Sequence, residues 1–247
     1  MKFEIKTTDT LKVQTVALIT GTGGGIGKAI AELLLKEGYL VFGYSRTNKI
    51  NHPNFNFTNL DLSNITQVNN LVLPIISSNN VILINNAATI GSIAPFDKKE
   101  ISDIINEYNL NIVSPTVLCK KFITKYHDQK KLLLNIGSGA ANSPIPSWST
   151  YCATKAALDM LTKVIAEENH KNLKVFSIHP GIVDTNMQKT IRETNKDLFP
   201  LLSKFTEYHS KNELETATIA AQKIHYIIRN SNKFTKNILS IRDVNLK

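Results

Sequence analysis

Tyr151 and Lys155 stand four residues apart, so a helix through them would put both side chains on one face. A phenol is a weak acid, with an ordinary pKa of about 10. A neighbouring ammonium stabilises the phenolate and is expected to draw that value toward working pH. Ser138 precedes the pair and ends an apolar stretch, and its hydroxyl can hold and polarise a carbonyl oxygen. A proton donor beside a carbonyl holder suits carbonyl reduction, in which hydride reaches carbon and a proton reaches oxygen. Alone, Tyr151 would read as a core aromatic and Lys155 as a surface charge.

Hydride chemistry calls for a donor, and a glycine turn points to one. The apolar stretch Thr15 to Thr20 reads as a strand and runs into Thr20-Gly-Thr-Gly-Gly-Gly-Ile-Gly27. Ile26 to Glu37 then has helical spacing and stops at Gly38. Gly21, Gly23, Gly25 and Gly27 allow positive φ and close backbone approach to a phosphate. The helix start after Ile26 offers unpaired N–H groups and a positive dipole end. Between a strand and a helix, this turn points to a dinucleotide. The second strand ends Gly43-Tyr-Ser-Arg-Thr47, without the acid that usually holds an NAD ribose. Arg46 can grip a 2′-phosphate, and Ser45 and Thr47 can donate to it, so NADP(H) is the expected cofactor.

Alternating elements must carry these groups. Strands are expected at 15–20, 39–45, 54–60, 81–85, 131–137, 173–179 and 237–241. Helices are expected at 26–37, from an N-cap at Ser63 to about 76, at 98–126, at 151–168 and at 214–229, with 182–212 irregular and partly helical. Strands apolar on both faces and separated by helices predict a doubly wound α/β fold, with a parallel sheet of about seven strands covered on both sides. Residues 1–14 read as an extension, either a disordered tail or an added edge segment, and 15–247 as one domain.

The chain of 247 residues is 42% hydrophobic and 20% charged, which suits a sizeable core. No apolar run approaches a membrane span, and the N-terminus lacks a signal core. Cys119 and Cys152 support neither a disulfide framework nor a metal cluster, so a reducing, cytoplasmic setting without metal is expected. The net charge of +9 is spread thinly rather than gathered in a patch, which argues against nucleic acid as a partner.

The segments Thr20-Gly21-x3-Gly25-Ile-Gly27, Asp61-Leu62, Asn85-Asn86-Ala87, Asn111, Ser138, Tyr151-x3-Lys155 and Pro180-Gly181 occur in that order. Together they resemble the short-chain dehydrogenase/reductase family over about residues 15–242. The resemblance implies a Rossmann-type fold with Asn111, Ser138, Tyr151 and Lys155 as the catalytic set. Asn111 would anchor a proton-relay water, and Lys155 would also bind the nicotinamide ribose. Asp61 would contact the adenine amino group beside Leu62, and Asn85 and Ala87 would line the adenine ribose. Pro180, Gly181, Ile182 and Thr185 would close over the nicotinamide. Ala88 departs from the usual glycine, and its methyl is expected to crowd the backbone there. Relatives pair through the helices at 98–126 and 151–168, which implies a homodimer or homotetramer.

Finer strings around Gly137, Trp148 and Pro180 are similar to the branch of that family that reduces vicinal dicarbonyls, the sepiapterin and benzil reductases. Trp148 either walls the substrate pocket or packs in the core, and Met187 with 188–212 would form a lid. The pterin-anchoring carboxylate of the sepiapterin branch is replaced by Thr216, leaving Glu213 and Glu215 as substitutes. The expected activity is NADPH-dependent reduction of a small dicarbonyl or related ketone or aldehyde. Pterin reduction, secondary-alcohol oxidation and a non-catalytic NADP sensor are the alternatives.

Overall fold

The computed structural model describes residues 15–246; the expected extension at 1–14 lies outside them. Seven parallel strands form one sheet in the order β3-β2-β1-β4-β5-β6-β7. They are β1 (Val16–Thr20), β2 (Leu40–Ser45), β3 (Phe55–Asn59), β4 (Asn80–Asn85), β5 (Lys130–Ile136), β6 (Leu173–His179) and β7 (Ile238–Ser240). The central strands are apolar on both sides, because helices cover both faces. One core joins Ala17, Ile19, Ile84 and Leu134 to helices α1 (Gly25–Lys36) and α8 (Ala217–Arg229). The other joins Leu18, Leu83 and Leu133 to α4 (Ser114–Lys125) and α5 (Ser149–Glu167). The strand order reverses between β1 and β4, which opens a crevice at the carboxyl ends of the strands. This is a Rossmann-type doubly wound fold.

Three helices differ from expectation. The N-cap of α2 (Ile65–Asn70) is Asn64, whose side chain accepts from Gln67 N at 3.1 Å, while Ser63 bonds Asp61 instead. The helix stops before Pro74, which cannot continue it. The expected helix at 98–126 is split into α3 (Ile101–Tyr108), a π segment (Asn109–Val113) and α4. Pro115 has no N–H for the carbonyl of Asn111, so the regular ladder fails there and the helix widens. The start of α8 falls at Ala217 rather than Leu214, because Thr216 caps it.

Candidate active site

β1 delivers the glycine turn to the start of α1. Gly21 and Gly25 have φ of +76° and +54°, which only glycine adopts freely. A Cβ on Gly27 would lie 2.4 Å from Gly21 O and 2.3 Å from Asn86 Nδ2, so this glycine serves close helix–strand packing. A Cβ on Gly24 would meet nothing within 4 Å, and no side chain caps α1. The first N–H groups of α1 therefore face open space, the arrangement that receives an anion. Thr185 Cγ2 lies 3.2 Å from the Cβ position of Gly25, which brings the segment after β6 against the same turn.

The turn opens into a cleft of about 1130 Å³ along the carboxyl ends of the strands. Arg46, Thr47, Asp61, Leu62, Ala87, Ala88 and Ile182 border it. Asp61 accepts from Ser63 N at 2.9 Å and Ser63 Oγ at 2.8 Å, and these bonds, helped by Arg46, hold its carboxyl below the ordinary range. Ser45 also borders the cleft, but its hydroxyl donates to Thr47 O at 2.7 Å. Ala88 lies outside the left-handed region, so its methyl brings no backbone strain.

Asn85 is a correction. Its side chain points into the sheet core, where Nδ2 donates to Asn135 Oδ1 at 2.9 Å, and it does not border the cleft. Successive strand residues alternate faces, so the next residue, Asn86, looks toward the glycine turn. Asn86 Nδ2 donates to Thr20 O at 3.0 Å, and Thr20 Oγ1 accepts from Asn86 N at 2.9 Å and Ala87 N at 3.0 Å.

Ser138, just past the end of β5, meets Tyr151 on the first turns of α5. The Ser138 hydroxyl pulls the phenol toward ionisation and accepts from Ala140 N at 3.1 Å. Lys155 Nζ donates to Ile136 O at 2.8 Å and lies 5.7 Å from the centre of the Tyr151 ring. Burial pushes the Tyr151 phenol up to about 12, against the pull of Ser138. Burial also pushes Lys155 down to about 8, opposed by the charge of Asp159. The phenol is thus shifted up by burial, opposite to the expected direction, and Ser138 rather than Lys155 supplies the downward pull.

Asn111 lies behind the cleft wall in the π segment and is 1% exposed. Its Oδ1 accepts from Thr89 N at 2.9 Å, while Nδ2 donates to Thr89 O at 2.9 Å and Thr154 Oγ1 at 3.3 Å. The carboxamide therefore ties the loop after β4 to α5.

The far end of the cleft is apolar. Trp148 stacks on Phe199 at 5.6 Å and 16°, meets Phe205 at 5.1 Å, and stands edge-on to Tyr151 at 5.6 Å. Trp148 borders the cleft and also anchors a third core. Met187 on α6 (Asn186–Arg192) borders it too, and Phe205 reaches it from α7 (Leu202–Ser210). Gln188 and Phe205, from the 188–212 segment expected to form a lid, also border the cleft, whereas Arg242 was not foreseen, since only the fold brings it there. Among the described residues, Trp148 Nε1 and Gln188 Oε1 are buried without a partner. Thr216 accepts from Ile219 N, and Glu215 pairs with Lys223 at 2.6 Å. Neither they nor Glu213 border the cleft.

Comparison with known proteins agrees with this geometry. The family model described as short chain dehydrogenase matches residues 15–196. Benzil reductase ((S)-benzoin forming) of Bacillus cereus is 34% identical over 230 residues, covering 85% of this chain and 92% of the relative. Sepiapterin reductase of Bos taurus is 36% identical over 156 residues, covering 61% of this chain and 57% of the relative. The structure of 4-hydroxyisoleucine dehydrogenase complexed with NADH superposes at a TM-score of 0.76 with 26% identity, covering 92% of this chain and 96% of that one. With a family model across most of its length and a reductase matched nearly end to end, the chain belongs to the short-chain dehydrogenase/reductase family and is an NAD(P)-dependent oxidoreductase.

Proposed function

We propose that this protein is an NADPH-dependent carbonyl reductase acting on one carbonyl of a vicinal dicarbonyl, of the benzil type. The observation that carries this reading is the apolar, aromatic end of the cleft built on Trp148 and Phe205, adjoining the Ser138–Tyr151 pair. The match to benzil reductase over 85% of the chain supports it. The uncapped start of α1 and the glycine backbone suit a pyrophosphate, and Arg46 at the cleft edge suits a 2′-phosphate. NADPH, when bound, supplies the hydride.

The chain's residues manage the oxygen and its proton. Ser138 holds the carbonyl oxygen, and Tyr151 gives it a proton as the carbon is reduced. A phenol kept near 12 is protonated at neutral pH, which suits reduction better than alcohol oxidation. Lys155 compensates the phenolate left behind. Asn111, fixed on both sides by Thr89, serves as the family's water anchor. The pterin alternative is disfavoured because Glu215 is paired away from the cleft. A sensor would have no use for the full proton-transfer set.

Both cysteines are free thiols, which fits the cytoplasm. Ile105 on α3 with Met160 and Val164 on α5 are about half exposed, an apolar face for self-association. Light scattering during gel filtration tests that pairing.

The test of the activity follows absorbance at 340 nm with NADPH and NADH separately, using benzil, 1-phenyl-1,2-propanedione and sepiapterin. Fast NADPH loss with the diketones is expected. Fast loss with sepiapterin alone would give the pterin reading, and no loss despite NADPH binding would remove the diketone reading.

A further inference from the structure

One turn beyond Lys155 on α5 lies Asp159. Tyr151, Lys155 and Asp159 recur every four residues on the buried face of the helix. One Asp159 oxygen accepts from the Ser177 hydroxyl at 2.5 Å, and the other bonds His179 Nε2 at 2.9 Å. Ser177 and His179 are alternate residues of β6 and so share a face. Gly137 closes over this cluster. A Cβ there would lie 2.5 Å from Ser177 Oγ, 2.8 Å from His179 Cδ2 and 3.0 Å from Asp159 Oδ1. The residue before Ser138 thus has no room for a side chain, because the carboxylate and its holders occupy the space.

A carboxylate this buried is costly unless the donors and cations around it compensate its charge. The groups around it are few. Lys155 stands one turn back on α5, and exposed Lys163 one turn on. His179 faces it from β6. Exposed Arg242, beyond β7, lies against Gly181 with Nε 3.1 Å from its Cβ position. From β5 the Ile136 carbonyl accepts from Lys155, and from the π segment the Asn111 carboxamide donates to Thr154, the residue before Lys155. Lys155 is the buried cation, at 2% exposure, and among the described residues no carboxylate reaches it within ion-pair distance.

We propose that Asp159, held by Ser177 and His179, is the counter-ion of Lys155: a positioning residue that keeps the lysine charged while Tyr151 gives up its proton. The charge of Asp159 acts on Lys155 in the direction opposite to burial, across one helical turn of low-dielectric interior. The proposal rests on Tyr151 and Lys155 being the proton-transfer pair, yet its first readout needs no turnover.

The Lys155 side-chain signal of the full chain, labelled with ¹⁵N-lysine and identified by its loss in Lys155→Met, is titrated between pH 6 and 11 without substrate. Asp159→Asn is nearly isosteric, accepts from Ser177 and donates to the other tautomer of His179, so the fold should hold. Its Lys155 midpoint should fall by about one unit or more. The high-pH limb of kcat/KM for a diketone should move down with it, and Asp159→Glu should restore both in part. An unchanged midpoint in the folded variant overturns the proposal. Should Asp159→Asn fail to fold, Asp159→Ser removes the same charge and is read by the same two outcomes. A shifted midpoint in a protein that reduces no carbonyl supports the counter-ion and removes the reductase reading instead.

Discussion

Lys155 donates to the carbonyl of Ile136 at 2.8 Å, fastening α5 to the end of β5 two residues before Ser138. The proton donor and the carbonyl holder sit on different elements, and this one bond sets their register. Tyr151 also packs edge-on against Trp148, so its ring has a structural share apart from its hydroxyl.

Tyr151→Phe should separate those shares. The ring contacts remain, and the melting temperature is expected to stay near that of the parent. The rate constant kcat should fall by about 10²–10⁴, the usual worth of a positioned acid. NADPH affinity, followed by fluorescence quenching, should change little. Turnover within a few-fold of the parent would remove Tyr151 as the acid.

Arg46→Asp should reverse the cofactor preference. It places a carboxylate where a ribose hydroxyl can use it and repels a 2′-phosphate. The NADPH/NADH ratio of kcat/KM is expected to fall by more than about tenfold, since removing such a contact costs about 1.5–3 kcal/mol. An unchanged ratio would take Arg46 out of the site.

Asn111→Leu strips two backbone groups of Thr89 of their partners, one N–H and one C=O. A fully buried orphan costs about 1–3 kcal/mol, and these two are part-buried at the cleft edge. Denaturant unfolding should register a loss of about 2–4 kcal/mol, on the same scale. A loss under about 0.5 kcal/mol, the scatter of an ordinary surface change, would mean the loop after β4 is held some other way.

Glu107 gives a pH test away from the cleft. Its side chain is 1% exposed, pairs with Lys99 Nζ at 3.4 Å, and has one oxygen without a partner among the described residues. Burial pushes its carboxyl from 4.5 up to about 7. The folded state thus holds this proton more tightly than the unfolded state. Its contribution is fully present below about 4.5, and it is lost as pH rises through 7. That loss amounts to about 3 kcal/mol. In Glu107→Gln the corresponding slope should vanish, so the stability difference between parent and variant should change between pH 5 and 8. A constant difference in urea unfolding across that range would contradict the raised carboxyl.

The parts of this protein most legible in its sequence are those whose chemistry demands a fixed spacing. Gly21 through Gly27 and Tyr151 with Lys155 declare themselves because a phosphate turn and a helical pair leave little freedom. Asn85 and Asn86 were harder, since a motif names both and only the pleat decides which faces the turn. The break at Asn111 was hidden because helical spacing runs on through 98–126, and Pro115 was its one local sign. The 188–212 segment was read as a lid, but which of its side chains reach the cleft, Gln188 and Phe205 among them, is decided by packing between distant segments. Asp159 and His179 were silent for the same reason.

Ser147 has φ of +70°, in the region glycine enters freely, and its hydroxyl is tied to Leu198 O at 2.6 Å. Holding a serine there costs about 1–3 kcal/mol, next to Trp148, the residue from which α5 starts. Thermal stability and turnover are therefore set against each other at this joint. Glycine at 147 would relieve the strain and let the first turn of α5 wander, whereas serine keeps a less stable chain with its tryptophan and tyrosine aimed.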